Sequence, residues 1–263
     1  MDASFDVLAL LGLAAFAAGF VDGIAGGGGL ITIPALLLAG LDPVAAIATN
    51  KLQGVFSTGS ALYAYMRRGL VAWRTMPLML IAALLSGACG AAAVRQIPAD
   101  GLRVLVPVLL TLAALYFAFS PALQDTDAQK RLGLVSFTLL LVCPVAFYDG
   151  FFGPGAGSFY MLGIVGLLGF GVLRASAKTK ALNFASNLAS VSYFLSQGLA
   201  VWTYGLVMAV AGIAGAQVGS RLAIRHGVRV IKPVLVVMCL AVAVRLLLDP
   251  ANPLRIYWAQ VFS

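Results

Sequence analysis

The chain has 263 residues, of which 62% are hydrophobic and 10% charged, and its formal net charge is +8. Soluble domains are about 45–50% apolar and about 25% charged, so the composition excludes a soluble globular protein and predicts an all-α polytopic membrane protein. The positive charge does not indicate nucleic-acid binding, because most basic residues lie in short connections, as is typical of cytoplasmic loops.

Ten apolar segments follow one another along the chain, and several are long enough to cross a membrane. The first is predicted to be a retained span, because Lys51 is the first basic residue and a secretory signal would open with basic residues. We place the segments at residues 5–22, 28–41, 45–66, 75–94, 102–119, 132–149, 156–173, 181–198, 203–222 and 231–248.

A glycine run follows the first segment, in the stretch "VDGIAGGGGLI" at residues 21–31. Each glycine weakens a helix by about 1 kcal/mol relative to alanine. Unwound backbone at membrane depth is tolerated only where it is buried in protein or lines an aqueous cavity. A helix that restarts after the run presents free N–H groups and partial positive charge, which favours an anion. Alternatively, the glycines only allow helices to pack closely.

The second half of the chain repeats the first. The stretch "YDGFFGPGAGSF" at residues 148–159 matches the first glycine run, so that Asp149 corresponds to Asp22. Other matches follow in the same order at a nearly constant offset, such as "RGLVAW" with "QGLAVW". We therefore predict an internal duplication, with a first repeat at residues 1–120, a polar linker at 121–131 and a second repeat at 132–263.

An odd number of segments in each repeat predicts that the second repeat is inverted in the membrane. The connection 67–74 carries three arginines and its counterpart 199–203 carries no charge, so the first is expected on the cytoplasmic side. Both termini are then external or periplasmic. The glycine-broken segments 28–41 and 156–173 are either spans or re-entrant half-helices that meet near the membrane midplane. Such interruptions at matching places point to a transporter site.

Polar side chains near the starts of the third and eighth segments complete the candidate site. Intramembrane polar residues are costly and usually face a cavity or one another. Lys51 and Lys180 are expected to attract an anion, or alternatively to extend to the membrane surface. The predicted substrate-binding residues are Gly26, Gly27, Gly28, Gly29, Asn50, Lys51, Gln53, Gly153, Gly155, Gly157, Lys180, Asn183 and Asn187.

Asp22 and Asp149 would repel an anion unless they are protonated or paired. Three roles stay open: proton coupling during transport, ion pairing with the lysines, or capping of free N–H groups in the broken helices.

The remaining reactive side chains indicate no metal site and no cofactor. His226 is the only histidine and lies in a basic loop. The cysteines, Cys89, Cys143 and Cys239, are interpreted as buried core residues. The aromatic residues Tyr63, Tyr65, Trp73, Trp202 and Tyr204 are interpreted as membrane-interface residues.

Three stretches resemble the repeated motifs of the sulfite exporter TauE/SafE family of membrane transporters (4-toluene sulfonate uptake permease type). They are "GFVDGIAGGGGLITIPALLLAGLDPVAAIATNKLQ", "YDGFFGPGAGSFYMLGIVGLLG" and "AKTKALNFASNLAS". The resemblance covers essentially the whole chain. It implies export or uptake of small sulfur-containing or organic anions in a bacterial inner membrane, with fewer helices than our ten segments.

The predicted function is secondary transport of a small anion, such as sulfite or an organosulfonate, by alternating access. The alternative is a passive anion channel, which would use the same cavity. An enzyme is not expected, because the sequence lacks the HExxH and GxSxG motifs. The expected partners are a small anionic solute and the lipid bilayer, without nucleic acid, and a homo-oligomer is possible.

Overall fold

The computed structural model describes residues 5–24, 26–97 and 131–226, together with positions 102, 105, 108 and 129. These residues are helical or lie in turns, and no strand occurs among them. The predicted segment 231–248 and nearly all of 102–119 lie outside the described residues.

The first half contains four helices. They are α1 (Phe5–Ile24), α2 (Gly29–Leu38), α3 (Pro43–Met66) and α4 (Pro77–Val94), with a 3₁₀ turn at Trp73–Thr75. Asp42 fixes the start of α3, because its carboxylate accepts hydrogen bonds from the N–H groups of Val44 and Ala45, each at 3.1 Å. Proline at the first position of α3 suits this start, since no N–H is needed there.

The described part of the second half also contains four helices. They are α5 (Leu134–Phe151), α6 (Ala156–Leu168), α7 (Val172–Ser196) and α8 (Trp202–His226). A π-helical turn, Thr138–Val142, lies within α5 just before Pro144. The predicted start of the eighth segment at residue 181 was wrong, because the polar residues from Lys178 to Lys180 lie inside α7 and are buried.

Four of these helices, α1, α4, α5 and α8, are long and apolar enough to cross a membrane. The shorter apolar helices α2 and α6 follow the two glycine segments. These lengths and compositions confirm the prediction of an all-helical membrane protein.

Helix contacts in one half have counterparts in the other. α1 packs against α8 and α4 packs against α5. The helices α1 to α4 correspond in order to α5 to α8. The contact between α3 and α8 therefore matches that between α7 and α4, and the contact between α2 and α3 matches that between α6 and α7. The two polar helices, α3 and α7, pack against each other. Small residues allow the closest approaches: Gly23 of α1 lies against the backbone of Ala216 and Ser220 in α8.

A buried polar layer separates two apolar clusters. The first cluster includes Tyr65, Met79 and Leu182, and the second includes Ile47 and Phe194. α3 therefore runs from the second cluster to the first, whereas α7 runs in the opposite direction. Between the clusters, α3 contributes the buried polar residues Asn50, Lys51, Gln53, Ser57 and Thr58, and α7 contributes Lys180, Asn183, Ser186, Asn187 and Ser190.

Several side chains lie elsewhere than the sequence predicted. Cys89 is exposed and Cys143 is half-buried, so the prediction of buried cysteines was wrong for Cys89. An apolar neighbourhood does not imply burial when the outer surface of the protein faces lipid. Tyr65 and Tyr204 are buried rather than at the interface. Cys239 lies outside the described residues.

Candidate functional site

The two glycine segments touch each other. A Cβ atom added at Gly26 would lie 2.7 Å from the Cα atom of Gly157, where no side chain fits. Gly26 also has a φ angle of 89° and Gly27 one of 109°, in the left-handed region that favours glycine. The chain can therefore turn from α1 into α2 only with residues that lack a side chain.

The second glycine segment leaves room for a charged side chain. Gly153 has a φ angle of 100°. A Cβ atom at Gly153 would lie 2.6 Å from the Lys51 Nζ atom. Because glycine is present, the ammonium group of α3 reaches the backbone of the second segment.

Two tyrosines, the buried Tyr65 and the half-buried Tyr148, hold backbone carbonyls near these segments. The Tyr65 hydroxyl donates to the Gly23 carbonyl at 3.1 Å, and the Tyr148 hydroxyl donates to the Pro154 carbonyl at 2.7 Å. The Tyr65 bond satisfies a carbonyl at the end of α1 that the interrupted helix leaves without its usual partner, and the Tyr148 bond satisfies a carbonyl in the turn between α5 and α6. This role of Tyr65 could not be predicted, since a tyrosine near a helix end resembles an interface residue.

A polar cavity of about 40 Å³ lies where α3, α7 and both glycine segments meet. Its volume is close to that of a single water molecule, about 30 Å³, so the cavity is small in this conformation. Most predicted site residues line it: Gly27, Gly28, Gly29, Asn50, Lys51, Gln53, Gly153, Gly157, Asn183 and Asn187, with Asp22 and Asp149. The predicted residues that do not line it are Gly26, Gly155 and Lys180.

Lys51 is the central charged residue of the cavity wall. Its side chain is buried, and its Nζ atom lies 2.6 Å from Asp149 Oδ1 and 3.0 Å from Asn187 Oδ1. Ser186 donates a hydrogen bond to the other carboxylate oxygen of Asp149. The ammonium group does not extend to the surface, and its charge is balanced by a carboxylate from the other half of the chain.

Lys180 forms the reciprocal pair. Its buried ammonium group donates to the main-chain carbonyl of Asp22, and its Nζ atom lies 3.9 Å from Asp22 Oδ1. Each half therefore supplies a lysine that meets an aspartate of the other half. Of the three roles considered for the aspartates, ion pairing with the lysines is the one that these contacts display.

Neutral groups lie in the wall and directly behind it. The Thr32 hydroxyl of α2 donates to Asn50 Oδ1, and Gln53 Nε2 donates to Ser57 Oγ at 2.5 Å. Asn183 Oδ1 is buried and has no hydrogen-bond partner among the described residues. The predicted site did not include Ser57 and Thr58, which line the cavity, or Thr32 and Ser186, which bind its lining residues from behind. The available signal was helical spacing: Thr32 follows Gly28 by four residues, Ser57 follows Gln53 by four, and Ser186 follows Asn183 by three, which places each pair on one helix face.

No cluster of three or more metal-ligating side chains occurs within the described ranges. The cavity offers one ammonium group, two carboxylates, amides, hydroxyls and glycine backbone.

Comparisons with known proteins agree on the class. The sulfite exporter TauE/SafE family matches residues 11–246. A probable membrane transporter protein, ORF9, from Sinorhizobium sp. is 49% identical, over 97% of this chain and 98% of its own length. The probable membrane transporter protein YfcA of Escherichia coli K12 is 40% identical, over 96% and 94%. One from Haemophilus influenzae is 41% identical, over 95% and 98%.

No solved structure matches the chain. The family match spans nearly the whole sequence, and the relatives align along almost their full lengths. The chain is therefore a membrane transporter that belongs to the sulfite exporter TauE/SafE family.

Proposed function

We propose that the protein is a secondary transporter that moves a small sulfur oxyanion or organosulfonate across a bacterial inner membrane by alternating access. The observation that carries this proposal is the position of Lys51. Its buried ammonium group lines a cavity between two glycine segments, and charges at membrane depth are retained where they serve a transported solute or its coupling ion.

The match between the two halves supports alternating access. Counterpart helices make counterpart contacts, and α3 and α7 run in opposite directions. Inverted repeats with interrupted helices are a common architecture of secondary transporters. The two reciprocal ion pairs differ, because Lys51 contacts its carboxylate at 2.6 Å and Lys180 lies 3.9 Å from its own. We propose that the close pair and the distant pair exchange roles when the site opens to the opposite side of the membrane.

The proposed orientation rests on charge. Five described arginines lie near the first apolar cluster, namely Arg67, Arg74, Arg131, Arg221 and Arg225. At the other end, where Phe5 begins α1, the described arginine is Arg95. Under the positive-inside rule the first cluster faces the cytoplasm and the amino terminus is external.

Electroneutrality links the anion to a proton. The Lys51–Asp149 pair carries no net charge, so an added anion would leave a buried negative charge, and a charged side chain at the bilayer centre costs at least about 2.5–3.5 kcal/mol. Protonation of Asp149 removes that excess and frees Lys51 for the anion. We propose that one proton accompanies each negative charge of the substrate.

The Asp149→Asn variant tests this coupling. Because the amide is neutral, Lys51 is left as a permanent cation, and the anion is expected to bind about tenfold more tightly, since about 1.4 kcal/mol corresponds to that factor. Uptake into proteoliposomes should no longer be driven by an imposed pH gradient. The corresponding substitution in the other ion pair, Asp22→Asn, serves as a comparison. Wild-type affinity and pH dependence in both single variants and in the double variant would contradict proton coupling.

Transport against a gradient separates a transporter from a channel. Proteoliposomes with an imposed pH gradient are expected to accumulate radiolabelled sulfite above its external concentration and to saturate with substrate. A flux that only follows the electrochemical gradient, with no accumulation, would instead establish a passive anion channel.

A further inference from the structure

A second polar cavity lies beside the carboxyl-terminal ends of α3 and α8, away from the central site. Its volume is about 880 Å³, far larger than that of the central cavity. The polar residues of its wall are Tyr63, Arg67, Arg68, Gln217, Arg221 and Arg225. We refer to this cavity as the arginine groove.

The charge of the arginine groove has one sign. Its four arginines are exposed, and within the described residues none forms an ion pair with a carboxylate. Arg67 lies over the ring of Tyr63, with its Cζ atom 5.8 Å from the ring centroid. The planar guanidinium group binds phosphate oxygens in pairs and stacks on aromatic rings. The groove therefore suits an anion that bears several oxygens.

An exposed apolar strip leads away from the groove along the same two helices. On α8, Val210 and Ile213 are exposed and precede Gln217 and Arg221 at helical spacing, so they share a face. On α3, the exposed residue Phe56 lies two helical turns before Tyr63, on the same face of the helix. Gln217 Nε2 contacts both the main-chain oxygen and the hydroxyl of Ser60 at 2.8 Å, which joins the two helices at this level.

We propose that the arginine groove binds the phosphate headgroup of an anionic phospholipid, whose acyl chains lie along the apolar strip. Basic pockets between transmembrane helices on the cytoplasmic side bind such headgroups, and the groove lies on the side that the charges predict to be cytoplasmic. The charge selects an anionic headgroup, and the adjacent strip selects a lipid over a free phosphate. This site is independent of the transported anion.

The simpler explanation is that these arginines only orient the protein in the membrane. Arg74 and Arg131 provide the matched comparison, because both are exposed on the same predicted face and neither lines the groove. The test compares Arg67→Gln/Arg221→Gln with Arg74→Gln/Arg131→Gln, which lose the same charge.

Thermal unfolding of the purified, detergent-solubilised proteins is measured with increasing phosphatidylglycerol, phosphatidylcholine of the same acyl chains, or glycerol 3-phosphate. A ligand that binds the folded state raises the midpoint in a concentration-dependent way. Phosphatidylglycerol should stabilise the wild type and the matched variant, and its apparent affinity for the groove variant should fall about thirtyfold. Without lipid, all three proteins should unfold at the same temperature, because the substituted side chains are exposed.

Three results would overturn the proposal. Equal stabilisation of the groove variant and the wild type by phosphatidylglycerol would show that the groove does not bind the headgroup. Equal stabilisation of the wild type by phosphatidylcholine and by phosphatidylglycerol would show that the negative charge of the headgroup has no role. Full stabilisation by glycerol 3-phosphate would assign the groove to a soluble anion rather than to a lipid.

Discussion

Replacement of Lys51 by methionine is expected to abolish anion transport and to lower the free energy of unfolding by about 3–5 kcal/mol. The side chain is 1% exposed, and its Nζ atom lies 2.6 Å from the Asp149 carboxylate. Methionine has a similar length but no charge, so Asp149 would be left as an uncompensated buried anion. Removal of one partner of a buried pair is costly for that reason.

A second substitution separates the structural effect from the functional one. In Lys51→Met/Asp149→Asn both charges are absent, and the Ser186 hydroxyl retains an acceptor at residue 149. This double variant is expected to recover most of the lost stability, because no unpaired charge remains. It should still fail to transport, since the cation that binds the substrate is missing. Transport at the wild-type rate by the double variant would show that Lys51 serves only the fold.

The Gly157→Ala substitution is expected to reduce transport by about tenfold or more, which corresponds to about 1.4 kcal/mol or more of lost binding or closure free energy. The added methyl group would lie 2.9 Å from the Gly26 Cα atom and 2.5 Å from Asn183 Nδ2. The backbone of the first glycine segment cannot move away as a flexible side chain would. The two segments must then separate, and overpacking of this kind costs about 1–3 kcal/mol in stability.

Gly166→Ala is the matched control, because Gly166 lies in the same helix, α6, and no atom lies within 4 Å of its added Cβ. Alanine favours the helix by about 1 kcal/mol over glycine, so this variant should be as stable as the wild type or more so, with normal uptake into proteoliposomes. Equal activity of Gly157→Ala and Gly166→Ala would show that the contact between the glycine segments is not required.

The sequence predicted the site better than it predicted the contacts within it. Glycine runs at matching places, and polar residues such as Lys51 and Asn183 in later apolar segments, are unusual and indicated most of the cavity wall. The pairing of Lys51 with Asp149 stayed one of three alternatives, because it depends on how α3 of one half meets α5 of the other. No local pattern encodes that register.

Burial was the property that the sequence predicted least well. Cys89 lies in an apolar stretch and is exposed, whereas Tyr65 lies just before two arginines and is fully buried. In water, apolar periodicity marks the buried face of a helix. In a membrane, lipid is as apolar as the protein core, so the periodicity is weak and the polar residues carry the information. The misplaced start of α7 has the same origin, since buried lysines resemble a loop.

Anion binding to the purified protein tests the central claim most directly. Thermal unfolding would be followed with sulfite, sulfate, thiosulfate, sulfoacetate, taurine and lactate, for the wild type and for Lys51→Met/Asp149→Asn. We expect a small sulfur oxyanion to raise the unfolding temperature of the wild type in a concentration-dependent way and to leave that of the double variant unchanged. Stabilisation of both proteins to the same extent, or of the wild type only by a neutral solute or a cation, would contradict an anion site at Lys51.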